Sequence, residues 1–112
     1  MAISIKSLNS GVLTATSATN IYPASGYTTR SALARSMRFV NRSGSDSVSL
    51  TIYFRKNATG EADRQSLGPI IVAPRTVCII DEKVALEANC ALKAKVNSGG
   101  SLDFLLGGLE RD

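Results

Sequence analysis

The stretch that decides the fold is FVNRSGSDSVSLTIYF, residues 39–54, in which two apolar runs enclose six small or polar residues. In the second run an apolar side chain recurs at every second position, which is typical of a half-buried β-strand. The apolar residues are β-branched or aromatic in the main, and such side chains suit a pleated surface. One face of the predicted strand carries Val48, Leu50, Ile52 and Phe54, and the other carries Ser47, Ser49, Thr51, Tyr53 and Arg55.

The polar residues between the two runs, 41–46, combine a hydroxyl, an amide, a guanidinium and a carboxylate. The same groups would suit either an active site or a turn. A short connection that contains glycine and joins two alternating strands predicts a hairpin loop. Asn, Ser and Asp in such loops bond the nearby backbone. We therefore predict that residues 41–46 form a turn and have no catalytic role.

Alternation at period two continues on both sides of this stretch. Upstream, Met37 and Phe39 share a face, for which Arg35 is a further candidate; downstream, alternation recurs over 91–96 and 101–104. The one helical alternative is TRSALARSM, residues 29–37, in which Ser31 could cap a helix and Leu33 and Met37 lie four apart. Turn residues separate strand-like segments about every 10–14 residues, a spacing typical of β-sandwiches and barrels.

The sequence therefore predicts an all-β fold: a single antiparallel β-sandwich, of jelly-roll or Ig-like type, with about seven to nine strands. A length of 112 residues fits one domain. We assign residues 17–112 to the sandwich and residues 1–16 to an N-terminal arm or edge strand. The predicted core consists of Val48, Leu50, Ile52, Phe54, Leu92, Val96 and Phe104.

Catalytic and metal-binding signatures are missing from the sequence. It contains no His, the commonest general base and metal ligand. Cys78 and Cys90 without His do not make a tetrahedral zinc site. The Gly-rich NSGGS, residues 97–101, precedes a predicted strand and not a helix, so it predicts a hairpin turn. We expect a non-enzymatic protein with no cofactor and no metal.

The two cysteines lie in apolar segments, and we predict that both are buried and free. A bridge between them, or between subunits, is the alternative. No apolar run approaches the roughly 20 residues that span a bilayer, so we expect no membrane association. The start of the chain, MAISIKSLNSG, has no apolar segment of the kind found in signal peptides, which predicts folding in a cytoplasm.

Basic charge gathers in the first 45 residues. They contain five basic residues and no acidic one, whereas residues 46–112 contain eight basic and nine acidic residues. Nucleic-acid binding would need aromatic side chains among the cations for stacking, and only Tyr27 and Phe39 are near, so we do not expect it. Arginine is favoured at protein interfaces. We predict a subunit interface that includes two or more of Arg30, Arg35, Arg38 and Arg42, together with Ile3 and Ile5 from an N-terminal segment that reaches a neighbour instead of completing its own core.

From about residue 17 to 110 the chain resembles a family of small virion proteins of tailed bacteriophages. The resemblance rests on four segments in order: SATNIYPASG (17–26), MRFVNRSGSDSVSLTIYF (37–54), SLGPIIVAPRTVCIIDEKVALEANCALKAKV (66–96) and SLDFLLGGLE (101–110). The chain departs from the family at Arg75, where Gly or Asp often completes the turn, and at 87–89, where a Gly-Asp pair is usual.

The resemblance implies a β-sandwich that coats, caps or extends a virion in many symmetric copies and has no catalytic residues. The first expectation is a head decoration or cement protein, assembled in the bacterial host cytoplasm and bound to the major capsid protein or other virion subunits. It would also bind itself as a homo-oligomer, with a trimer as one candidate. The alternatives are a neck, collar or tail protein, a receptor-binding fibre domain and an unrelated bacterial binding module.

Overall fold

The structure is a computed structural model that describes residues 3–23, 26–56, 62–81 and 83–111, with residues 3–7 described by their backbone. Within these ranges the chain forms nine β-strands and no helix, and hence no helix that could cross a membrane. The strands are β1 (Ile3–Leu13), β2 (Thr19–Tyr22), β3 (Ser31–Val40), β4 (Val48–Arg55), β5 (Arg64–Val72), β6 (Val77–Ile80), β7 (Val84–Leu86), β8 (Ala91–Val96) and β9 (Leu102–Arg111).

The strands form two antiparallel sheets. Sheet A has the order β1-β9-β3-β6, and β7 pairs with β3 beside β6; sheet B has the order β2-β8-β4-β5. The prediction of an all-β fold is confirmed. The helical alternative at 29–37 is wrong because this segment lies inside sheet A, where Met37 pairs with Leu106 on one side and Ile80 on the other.

Apolar residues from both sheets share one core, in a sandwich-like arrangement. Five predicted core residues, namely Val48, Leu50, Ile52, Leu92 and Val96, are at most 2% exposed. Phe54 and Phe104 are partly buried and pack against that core. The faces predicted for β4, β8 and β9 from alternation are therefore right, with the two phenylalanines at the margin of the core.

The connections at 41–46 and 97–100 are not hairpins, and this corrects both predictions. β3 lies in sheet A while β4 lies in sheet B, so residues 41–47 carry the chain from one sheet to the other. Residues 97–101 do the same between β8 and β9. Alternation shows which face of a strand is buried, but it does not show whether the next strand returns to the same sheet.

The N-terminal strand β1 lies at the edge of sheet A and pairs with β9 of the same chain along its whole length. Leu13 is 2% exposed in the core, and Leu8 packs against it. The side-chain amide of Asn9 also donates a hydrogen bond of 2.8 Å to the carbonyl of Ile21. The expectation that this segment would not complete its own core is therefore wrong for Leu13.

Both cysteines are free, as predicted. The prediction that both are buried is right for Cys90 and wrong for Cys78, which is half-buried and packs at the margin of the core. The Cys90 thiol donates to the carbonyl of Lys56 at 3.1 Å. Burial raises the pKa of the Cys78 thiol, so less of the reactive thiolate is present at neutral pH.

We expect the native protein at neutral pH to react with a thiol reagent much more slowly than free cysteine does, and to take up two labels once unfolded. A Cys78→Ser variant should lose the faster of the two native reactions, because Cys90 is the more buried thiol. Mass spectrometry of the labelled chains is the measurement. An intact mass lower by two hydrogens, with no label taken up after unfolding, would contradict the free state.

Candidate functional site

The outer face of sheet A carries a cluster of apolar side chains that the domain itself does not cover. Two cross-strand rows build it. In the first row Val12 pairs with Asp103, Asp103 with Val40, and Val40 with Val77. In the second row Ser10, Leu105, Arg38 and Ile79 are neighbours in that order. We call this surface the A face and define it by Val12, Arg38, Val40, Val77, Ile79 and Leu105.

Four of the apolar side chains on the A face are strongly exposed: Val12 by 58%, Val77 by 50%, Ile79 by 56% and Leu105 by 45%. Apolar residues exposed one at a time are normal on any protein. Diagonal neighbours on adjacent strands, however, lie about 7–8 Å apart, within reach of long side chains. Leu105 is diagonal to both Val12 and Val40, and Val40 is opposite Val77 and diagonal to Ile79, so these side chains lie in one region of the sheet. Exposed apolar side chains grouped in this way are a common feature of protein interaction sites.

Arg38 lies inside the A face, between Leu105 and Ile79 on the neighbouring strands. Among the residues that the structure describes, no carboxylate lies within ion-pair distance of Arg38. Arg42 differs, because its Nε lies 2.9 Å from an Asp103 carboxylate oxygen at the end of the patch. Of the four arginines predicted at an interface, the structure therefore brings Arg38 and Arg42 to the A face.

Arg30 and Arg35 lie elsewhere. Arg30 precedes β3 and pairs with Glu110 at 3.4 Å, whereas Arg42 follows the other end of this strand, which is about 30 Å long. Arg35 is exposed at a bulge in β3, where the register against β9 shifts between Ala34 and Ser36.

The backbones of Ile3 and Ile5 pair with Arg111 and Leu109 of β9, and their side chains lie outside the description. An interface role for these two residues stays a prediction. Because β1 pairs with β9 along its length, removing residues 1–10 would disturb the fold as well as any interface.

Tyr22 and Glu110 link the two sheets at the Arg30 end. The Tyr22 hydroxyl donates to Glu110 Oε2 at 2.7 Å. The pKa of Tyr22 lies well above its usual value of 10.0. The largest cause is burial, and the hydrogen bond to Glu110 and the negative charge of that carboxylate raise the pKa further. The folded state therefore holds this proton more tightly than the unfolded chain does.

It follows that the stability contributed by Tyr22 is complete below pH 10 and is lost as the pH rises through the higher folded-state pKa. We expect the wild-type free energy of unfolding to fall more steeply above pH 10 than that of a Tyr22→Phe variant. Denaturant unfolding of both proteins at pH 8 and in steps above pH 10 measures this difference. If the free energies of unfolding of the wild type and of Tyr22→Phe fell in parallel above pH 10, this prediction would be contradicted.

A polar cleft of about 780 Å³ lies at the other end of the molecule, between residues 40–48 and 97–103. Asn41 lines this cleft and is fully buried. The Asn41 amide donates to the carbonyls of Asp46 at 2.8 Å and Val72 at 3.0 Å, and its Oδ1 accepts from the Ser43 N–H at 3.0 Å. These bonds fix the crossing between the sheets, so the amide acts as a structural group.

The outer face of sheet B carries three cations, Arg55, Lys93 and Lys95, and one carboxylate, Asp63, lies beside two of them. Asp63 has its Oδ1 buried, 3.7 Å from Arg55 and 3.4 Å from Lys93. Arg55 lies 6.0 Å from the ring centre of Tyr27, and Lys95 lies 5.8 Å from that of Tyr53. Arg55 and Lys95 thus each make a cation–π contact within the domain.

Within the described ranges, no group of three or more His, Cys, Asp or Glu side chains could hold a metal ion. Sequence reasoning predicted that Asn41 bonds the nearby backbone, but it missed the full burial of Asn41, its bond to Val72 and the A face. The signal for the A face was present in RTVCIID, residues 75–81, because both faces of this strand are apolar. In comparisons with family models, curated proteins and solved structures, nothing matches the chain.

Proposed function

We propose that this chain is a non-enzymatic structural protein of a tailed-bacteriophage virion, and that it joins the particle through the A face. The first candidate role is a head decoration or cement protein bound to the capsid surface in many copies. The observation that carries the assembly part of the proposal is the exposed apolar patch around Arg38. The phage part rests on the resemblance of residues 17–110 to small virion proteins.

Backbone geometry at the two departures from the family pattern also supports the resemblance. Arg75 has a φ of 56° and Asn89 a φ of 67°. Both values lie in the left-handed region, which glycine adopts most easily. The position where the family often has Gly or Asp, and the one where it usually has a Gly-Asp pair, therefore both have a backbone conformation that suits a turn, with other residues in place. We infer in the same way that the two sheets form a single jelly-roll or Ig-like sandwich.

The test is a quantitative gel of purified particles of the phage that encodes the chain. We expect the chain in the particle, and its copy number separates the roles. Decoration of a capsid lattice needs copies on the order of hundreds, whereas a neck or collar ring needs about a dozen. A count in the range of a ring would replace head decoration by a neck, collar or tail role. Particles without the chain would contradict the proposal.

A further inference from the structure

We infer that the A face binds a different protein and not a second copy of this chain, and that this partner presents an apolar surface with a carboxylate that meets Arg38. The inference rests on the proposed function and specifies its partner. Its basis is the position of one unpaired cation inside an apolar patch, together with the charges on the other faces of the molecule.

Covering the A face would remove the Arg38 guanidinium from water. A buried charge without a partner is costly, and a carboxylate with good geometry compensates for that loss. Within the described part of the chain no carboxylate lies within ion-pair distance of Arg38, and Asp103, the acid on the same face, already lies 2.9 Å from Arg42. The partner must therefore bring the acid. Arg also forms two parallel bonds to one carboxylate, which fixes the orientation of docking.

A second copy of the chain fits the A face poorly in either arrangement. Two A faces packed about a two-fold axis would place two Arg38 side chains in the same apolar patch, and like charges there repel. An A face packed on the outer face of sheet B would place Arg38 against Arg55, Lys93 and Lys95. Asp63 on that face is already shared by Arg55 and Lys93. Three further acids are exposed among the described residues. Asp46 lies in the connection between β3 and β4, and Asp81 and Glu87 lie in the connections flanking β7, so none of them is on a sheet face.

The shape of the A face also limits the partner. Four strands spaced about 4.8 Å apart span about 14 Å between the outer two. The exposed side chains Val12, Leu105 and Ile79 come from three of these strands, so the patch runs across the sheet. A flat apolar surface covers such a patch better than a single extended peptide, which would follow one strand.

The experiment measures binding of the purified chain to phage particles assembled without it. Two substitutions in the A face are compared with the same substitutions outside it: Arg38→Glu with Arg64→Glu, and Ile79→Ser with Ile71→Ser. Arg64 is exposed on β5, and Ile71 is 66% exposed on sheet B, against 56% for Ile79. All four side chains are exposed, so the variants should fold, and unfolding curves check this.

We expect Arg38→Glu to weaken binding by about 100-fold or more, since it sets two carboxylates against each other. Ile79→Ser should weaken binding by about tenfold through lost apolar contact. Arg38→Met, which keeps an apolar stem but leaves the partner carboxylate unpaired, should also weaken binding by at least about tenfold. Both control variants should bind as the wild type does.

Binding of the Arg38 variants at wild-type strength would overturn the inference. It would leave the proposed function intact if Ile79→Ser still weakened binding, and it would remove the A face as the attachment surface if Ile79→Ser also bound normally. Light scattering of the free chain provides the second criterion. If Arg38→Glu dissociates an oligomer of the wild-type chain, the occupant of the A face is a second copy, and the inference is wrong. Particles that neither contain nor bind the wild-type chain would overturn the inference together with the proposed function.

Discussion

Replacing Asn41 with Ala is expected to lower the free energy of unfolding by about 3–5 kcal/mol. The wild-type amide makes three hydrogen bonds and is fully buried. Its loss leaves the carbonyls of Asp46 and Val72 and the N–H of Ser43 without this partner. A buried polar group left unpaired costs about 1–3 kcal/mol. The bond to Val72 is buried and those to Asp46 and Ser43 are part-buried, so the loss of all three exceeds that of one ordinary hydrogen bond.

Two further variants separate the contribution of hydrogen bonding from that of packing in the connection between β3 and β4. Asn41→Asp keeps the shape of the side chain but places a carboxylate oxygen against two carbonyl oxygens, so it should destabilise at least as much as Ala at pH 7. Ser43→Ala removes only exposed bonds, from the N–H groups of Ser45 and Asp46, and water can replace these. We expect a loss of about 1 kcal/mol or less for Ser43→Ala.

Urea unfolding of the three variants beside the wild type measures these differences. If Asn41→Ala and Ser43→Ala lowered the free energy of unfolding by the same small amount, the buried amide would not stabilise the connection between the two sheets. The result would also decide the role of residues 41–46. A loss of stability with intact binding to particles identifies them as a structural connection.

The sequence predicts the buried faces of the central strands because apolar and polar side chains alternate in a strand that has one face in solvent. Leu50 and Ile52 in β4 and Leu92 and Val96 in β8 follow this rule. Thr51 does not, since it lies on the opposite face and is still only 6% exposed. Alternation predicts which side a residue faces, but not how far that side is covered by neighbouring segments.

Bulges account for a second limit of the pattern. Ala34 and Met37 are both buried, although they lie three residues apart in β3. The register shift between Ala34 and Ser36 inserts one residue and reverses the phase of the alternation. A strict period of two made Arg35 a candidate for the face of Met37, whereas the structure has Arg35 exposed at the bulge.

The sequence signal for the A face was ambiguous, because an apolar residue on both faces of a strand has two interpretations. Val77 and Ile79 alternate with Cys78 and Ile80, so β6 has apolar residues on both faces. Such a run normally predicts a strand covered on both sides. In the structure β6 lies at the edge of sheet A, and its outer residues are half exposed. Position in the sheet distinguishes a strand covered on both sides from one with an exposed apolar face, and sequence alone does not give that position.

Substitution of Gly68 by Ala is expected to have the largest effect of any change to alanine considered for this chain, a loss of about 4 kcal/mol or more. Gly68 lies in β5 with a φ of 100°, a conformation that costs about 1–3 kcal/mol for a residue with a Cβ atom. The added Cβ would also lie 2.6 Å from the carbonyl oxygen of Leu50. That oxygen belongs to the backbone of β4, so it cannot move aside as a flexible side chain would.

Gly99→Ala is the matched control, because Gly99 has a φ of 80° but no atom within 4 Å of the position that a Cβ would take. This variant bears the conformational cost alone, about 1–2 kcal/mol. The difference between the two variants therefore isolates the overlap with β4. Guanidinium unfolding curves, or loss of folded protein for Gly68→Ala, give that difference. If the two variants fell within about 1 kcal/mol of each other, β4 and β5 would not approach as closely at Gly68 as the structure places them, since overlap with backbone adds at least that much to a conformational cost.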